Sequence, residues 1–114
     1  MQVEKRFTLT NDFHRIISNS FDNISNSFID ELAHHKDELT GLLTGYYCQE
    51  RGSVYDYSID PGTFEIDKNG KGSFMANFEI YYALDNFSDN DKMKIEFQID
   101  LRTGEMILKG ETIV

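Results

Sequence analysis

Glu31 and His34 stand three residues apart in Glu31-Leu32-Ala33-His34. That spacing puts a carboxylate and an imidazole on one helix face, as carboxylate-bridged metal sites require. Such a site also takes a second copy of the motif and further glutamates from facing helices, and the chain supplies neither. The simpler expectation is three solvent-facing i,i+4 pairs near a helix C-terminus: Asp30 with His34, Glu31 with His35, and His34 with Glu38. Asp67-Lys68-Asn69-Gly70-Lys71-Gly72 matches the first, third and sixth positions of an EF-hand loop. Lys71 and Phe78 occupy the fifth and twelfth, where calcium needs oxygen, so the stretch is expected to be a hairpin turn. Asp85, Asp89 and Asp91 have no metal-ligand spacing and read as a solvated acidic loop. No metal and no cofactor is expected.

Cys48 is the single cysteine, which rules out an intrachain disulfide and suits a reducing compartment. A thiolate nucleophile needs a base or a positive dipole beside it. His14, His34 and His35 lie on a helical pattern with no sequence link to Cys48, so packing is its expected role. The chain contains no Gly-x-Ser-x-Gly, no phosphate-cradling loop and no dinucleotide fingerprint. The acidic residues are too numerous for any one pair to signal acid/base catalysis. The expectation is a protein that is not an enzyme.

Two kinds of element must position these residues. Val3, Phe7 and Leu9 alternate with polar residues as a short first strand, and Thr10, Asn11 and Asp12 offer a helix cap. Phe13, Ile16, Ile17, Phe21, Ile24, Phe28 and Leu32 follow at spacings of three and four, which predicts one amphipathic helix from about residue 12 to 36. Gly41 is its expected stop, and a kink is possible at residues 25–27. The polar face repeats Ser-Asn-Ser-Phe at 18–21 and 25–28; Ser and Asn compete for backbone hydrogen bonds, so this helix must lean on packing.

Val54 to Ile59 reads as a strand with Tyr55, Tyr57 and Ile59 on one face, and Pro61-Gly62 as a turn. Phe64 and Ile66 precede the Asn69-Gly70 turn. Beyond it the alternation is cleanest. Phe74, Ala76, Phe78, Ile80, Tyr82 and Leu84 form one face of a strand, the residues from Asp85 to Asp91 form a loop, and Met93, Ile95, Phe97, Ile99 and Leu101 form one face of the next. Met106 and Leu108 continue that face after a turn at 102–105. The predicted fold is a single α+β domain over residues 1–114. One long N-terminal amphipathic helix packs on one face of a curved antiparallel β-meander of about four to five strands, the outline of cystatin-like and related α+β rolls.

With 39% hydrophobic and 13% aromatic residues in 114, the chain can bury a core without staples. Its 20 acidic and 11 basic residues give a formal charge of -9, which repels nucleic-acid phosphates and anionic membranes and favours a basic protein partner. The N-terminal stretch has charges where a signal peptide needs an apolar run, and the longest apolar run, Ile80 to Leu84, is too short to span a bilayer, so a cytoplasmic location is expected.

On the wet face of the sheet, Glu65, Asp67, Glu79, Glu96 and Asp100 are expected beside Met75, Tyr81 and Ile107, with Lys94 and Lys109 as the cations. With Tyr55 and Tyr57, the residues Glu65, Asp67, Glu79, Tyr81, Glu96 and Asp100 make up the expected partner-binding set. The function expected first is an acidic, non-enzymatic protein-binding module, such as an immunity or antitoxin inhibitor of a basic, nuclease-like protein. The alternative is a small-ligand binder or minor enzyme with a pocket between helix and sheet. A homodimer through the wet face is a third arrangement.

Overall fold

The computed structural model describes residues 2–47 and 51–112; Cys48 lies outside the described residues. The chain runs β1 (Gln2–Thr8), α1 (Asn11–Asn19), α2 (Ser25–Ala33), α3 (Lys36–Tyr46), β2 (Gly52–Ile59), a 3-10 turn (Pro61–Thr63), β3 (Glu65–Ile66), β4 (Lys71–Tyr82), β5 (Phe87–Asp100) and β6 (Glu105–Thr112). The sheet is antiparallel in the order β1-β6-β5-β4-β2, with the short β3 also paired to β4. The α+β character and the antiparallel sheet agree with the sequence pattern; the single long helix does not. Three short helices take its place, and they follow a first strand that pairs with the last.

The polar residues explain where the helix breaks. Thr10 caps α1 with its Oγ, which accepts from the Phe13 N–H at 3.3 Å. At the far end Ser20 is extended, its Oγ accepts the Asp22 N–H at 2.9 Å, and Asn23 adopts a left-handed φ of 56°. Side chains that can serve the backbone locally have replaced the helical ladder here, some residues before the kink position at 25–27. The second break falls at His34 and His35, whose N–H groups bond the Glu31 and Leu32 carbonyls at 3.0 and 2.9 Å, a tightened last turn. The helix then restarts and runs straight through Gly41, the expected stop. Tertiary packing overrides the low propensity of glycine in α3: a Cβ on Gly45 would sit 3.2 Å from Val3 Cγ1, so the small residue lets the helix lie close on β1.

The covered face of the sheet carries Phe74, Ala76, Phe78 and Ile80 from β4, Met93, Ile95, Phe97 and Ile99 from β5, and Met106 and Leu108 from β6, all buried. Against it the helices set Phe13, Ile17, Phe28, Leu32, Leu39, Leu42 and Leu43. Phe28, at 0% exposure, is the hub: the rings of Phe13, Phe64, Phe74 and Phe97 lie between 4.5 and 6.2 Å from it. Each such side chain contributes roughly 1.5–3 kcal/mol of burial. Phe78 and Phe97 are inside and Glu79 and Glu96 outside, as alternation requires.

Two expectations about strands are corrected. The Asp85 to Asp91 loop is mostly strand: the turn closes over Ala83–Asn86, with Asn86 at φ 47°, and β5 starts at Phe87. Leu84 therefore sits in the turn and is exposed instead of continuing the covered face. In β2 a bulge between Val54 and Tyr57 breaks the register against β4, so Tyr55 and Tyr57 do not share a face. The free edge of β2 is capped by α3. Thr44 Oγ accepts from Val54 N at 3.0 Å and donates to Val54 O at 3.3 Å, which guards against edge-to-edge pairing.

Candidate functional site

Of the three helix pairs predicted as solvent-facing, Glu31 with His35 is instead largely buried and part of a network, while Asp30 and His34 are exposed. Glu31 is only 3% exposed. One carboxylate oxygen accepts from the Thr10 backbone N–H at 2.8 Å and from His35 Nε2 at 2.9 Å, and the other from the Thr10 hydroxyl at 2.6 Å. The His35 ring stacks on Phe7 at 4.0 Å. Burial works to raise the Glu31 pKa, but the hydrogen bonds from the Thr10 side chain and backbone, then the bond and charge of His35, outweigh it and hold the carboxyl below its ordinary value. Glu31 ties the β1–α1 junction to the α2–α3 junction, with both carboxylate oxygens engaged in hydrogen bonds. His34 is exposed, so Glu31 and His34 do not form the metal pair their spacing allows. No group of three or more His, Cys, Asp or Glu side chains among the described residues is arranged to hold a metal ion.

The expected partner-binding residues separate into distinct roles. Glu65, Glu79, Tyr81 and Glu96 lie on the outer face of the sheet, opposite the helices. Asp67 and Asp100 serve turns: Asp67 Oδ1 accepts from the Asn69 and Lys71 N–H groups at 2.8 and 3.0 Å, and Asp100 Oδ1 from the Arg102 N–H at 2.9 Å. Tyr57 points toward the helices, where its hydroxyl donates to the Leu32 carbonyl at 3.1 Å; burial, then the nearby Asp56 charge, pushes its pKa up. Tyr55, on the bulge, is 71% exposed.

The outer face is also less uniformly negative than expected. Arg6 and Lys92 join Lys94 and Lys109 on it, and several charges are matched across strands: Lys109 Nζ lies 3.7 Å from Glu4 and Arg6 3.6 Å from Glu105. Further acids lie toward the β4–β5 end. A groove of about 640 Å³, open to solvent, runs across β2, β4 and β5 there. Asp56, Glu79 and Asp91 line it with Lys92, among Ser58, Asn77 and Asn90. Asp56 is held below its usual pKa by the Tyr57 N–H and by Lys36, whose Nζ is 3.3 Å away.

Beyond the groove, β4 and β5 run on as an arm to their turn, with β2 still paired along β4 as far as Tyr82. At about 3.3 Å per residue the fourteen residues of β5 span roughly 46 Å, close to the full 49 Å length of the molecule. The helices cover only part of that length, and residues 83–92 are all exposed. Leu84 and Phe87 on the arm are 73% and 54% exposed; with Tyr55 beside its base they are the most exposed large apolar side chains among the described residues. Phe87 and Tyr82 stack across the strand pair at 6.1 Å. At the arm's base Tyr47, buried against Phe78, donates to the Asp91 carboxylate; burial, then that bond, drives the phenol pKa far up.

This region was legible only in part. The series Phe87, Asp89, Asp91, Met93, Ile95 keeps one parity, the signal that the acids continue the covered face of a strand; reading them as a loop hid it. The chain matches no protein-family model, and comparison with curated proteins and with solved structures gave no match. No helix among the described residues is long and apolar enough to cross a membrane.

Proposed function

We propose that the chain is a non-enzymatic binding module for a basic protein, an inhibitor of the immunity or antitoxin kind acting in the cytoplasm. The observation that carries this reading is that one end of the sheet exposes Tyr55, Leu84 and Phe87 with acids on both of its faces, Glu79 on the outer face and Asp89 and Asp91 on the helix side. Exposed aromatic and apolar anchors ringed by charge are the composition of a protein interface, and carboxylates there would steer a cationic partner. The small-ligand alternative has less support. The space between helices and sheet is packed by Phe13, Phe28, Phe64, Phe74 and Phe97, and no buried side-chain polar atom among the described residues lacks a hydrogen-bond partner.

Inhibitors are normally encoded beside their targets, so the test is co-expression with the products of the adjacent genes and measurement of binding at low and high salt. The reading expects a basic protein whose affinity falls at least tenfold as salt rises and falls again on Glu79→Lys. A wild-type chain that binds none of those products, and captures no basic protein from source-organism extracts in a salt-sensitive way, would refute it.

A further inference from the structure

We propose that the helix-side ledge of the β4–β5 arm is the docking surface for an arginine-bearing segment of a basic protein, a guanidinium lying against Phe87 and paired with Asp89. The inference rests on the binding-module reading and names the place and the chemistry of recognition.

Three sources of negative potential meet on this ledge. Asp89 and Asp91 are the cross-strand partners of Ile80 and Phe78, so their carboxylates share the face those apolar side chains use. The C-terminal end of α3 arrives at the same place through Tyr46 and Tyr47, and its last turn holds no basic residue to offset the negative end of the helix dipole. Gly52 keeps the strands close enough for this to happen: a Cβ there would sit 2.7 Å from Ile80, 3.0 Å from Tyr82 and 3.2 Å from Tyr47. The third source is the π-face. The Phe87 ring is half exposed and stacked on Tyr82, and the face of an aromatic ring attracts a cation.

Arginine suits this combination better than lysine. Its planar, weakly hydrated guanidinium stacks on a ring while pairing with a carboxylate. A second copy of the chain is a poor occupant, because two bodies each carrying a formal charge of -9 repel. The apolar Leu84 at the tip requires an apolar neighbour on the partner beside the arginine.

The probe is a 12-residue peptide with three arginines and a leucine, compared with the same peptide carrying lysine or neutral citrulline. Binding to the full chain is followed by amide NMR at 50 mM salt. Expected are shifts centred on residues 80–92 and reaching Tyr46 and Tyr47, a Kd weakened about tenfold by Asp89→Asn and by Phe87→Ala, and weaker binding of the lysine peptide. Citrulline should abolish binding. Asp22→Asn with Asp30→Asn removes two charges elsewhere and should change Kd less than twofold.

Shifts centred on Glu96 and Lys94, equal loss in the Asp22/Asp30 variant, unchanged binding by Phe87→Ala, or no binding of the arginine peptide would each overturn the arm as docking surface. Such a failure leaves the broader reading standing as long as the adjacent-gene product still binds in a salt-sensitive manner. Loss of that binding removes the broader reading as well.

Discussion

Substitution of Glu31 by Gln tests the buried network most directly. The wild-type carboxylate accepts three hydrogen bonds, from the Thr10 N–H, the Thr10 hydroxyl and His35 Nε2. Gln keeps the shape but removes the charge, and its amide NH₂ then faces donors. Hydrogen bonds to a charged group are worth about 1.5–3 kcal/mol each, and a buried donor left unpaired costs about 1–3. Because the Thr10 hydroxyl can rotate to accept, a net loss of about 2–3 kcal/mol is expected for Glu31→Gln, and about 3–5 for Glu31→Ala, which leaves all three donors without a partner. Against a total stability of about 5–15 kcal/mol, the Gln variant should still fold. At about 2 kcal/mol per molar urea its unfolding midpoint should fall by about 1–1.5 M, with the slope unchanged.

The pH dependence has a definite sign. The folded-state pKa of Glu31 lies below the ordinary value of 4.5, so its stabilisation is fully present above that value and is lost as pH falls through the folded pKa. The gap between wild type and Glu31→Gln should therefore shrink as pH falls below about 4.5. A midpoint equal to wild type at pH 7, or a gap that persists undiminished at pH 3, would refute the assignment of Glu31 as an ionised tie between the two junctions.

The glycines give a paired prediction. Gly41→Ala adds a methyl that meets only the flexible end of Lys5, at 3.5 and 3.6 Å, so it should stabilise α3 by about 0.5–1 kcal/mol in urea unfolding. Gly72→Ala drives the same methyl into the Glu65 backbone carbonyl and to 2.5 Å from the Phe97 ring; it should cost more than about 3 kcal/mol or prevent folding. Tyr57→Phe removes the bond to the Leu32 carbonyl and should lower stability by about 1 kcal/mol, whereas Tyr55→Phe should leave the thermal midpoint unchanged. Thr44→Val uncaps both polar groups of Val54 at the sheet edge; a lower midpoint with earlier aggregation on heating is expected.

The local pattern alone determined the covered faces of β4, β5 and β6 where no bulge or turn intervenes. Residues two apart in a regular strand point the same way, so Phe74 to Ile80 and Met93 to Ile99 share a covered side, whereas the bulge in β2 broke the rule for Tyr55 and Tyr57. Turns were equally local: Gly70 takes a φ of 84°, which an Asn-Gly pair at a tight hairpin anticipates.

Helix continuity was not determined locally. A spacing of three and four is preserved across a break of a few residues, so Phe13 to Leu32 looked like one helix, while Ser20 and Asn23 had better local partners than the ladder. Glu31 could not be recognised as buried, because Thr10 lies 21 residues away and only the fold back of α2 on α1 brings it near. The division of the acids is tertiary for the same reason. Which carboxylates meet Arg6 or Lys109 and which stand beyond the helices follows from strand order and from where α3 ends, and neither is written in the period of any one segment.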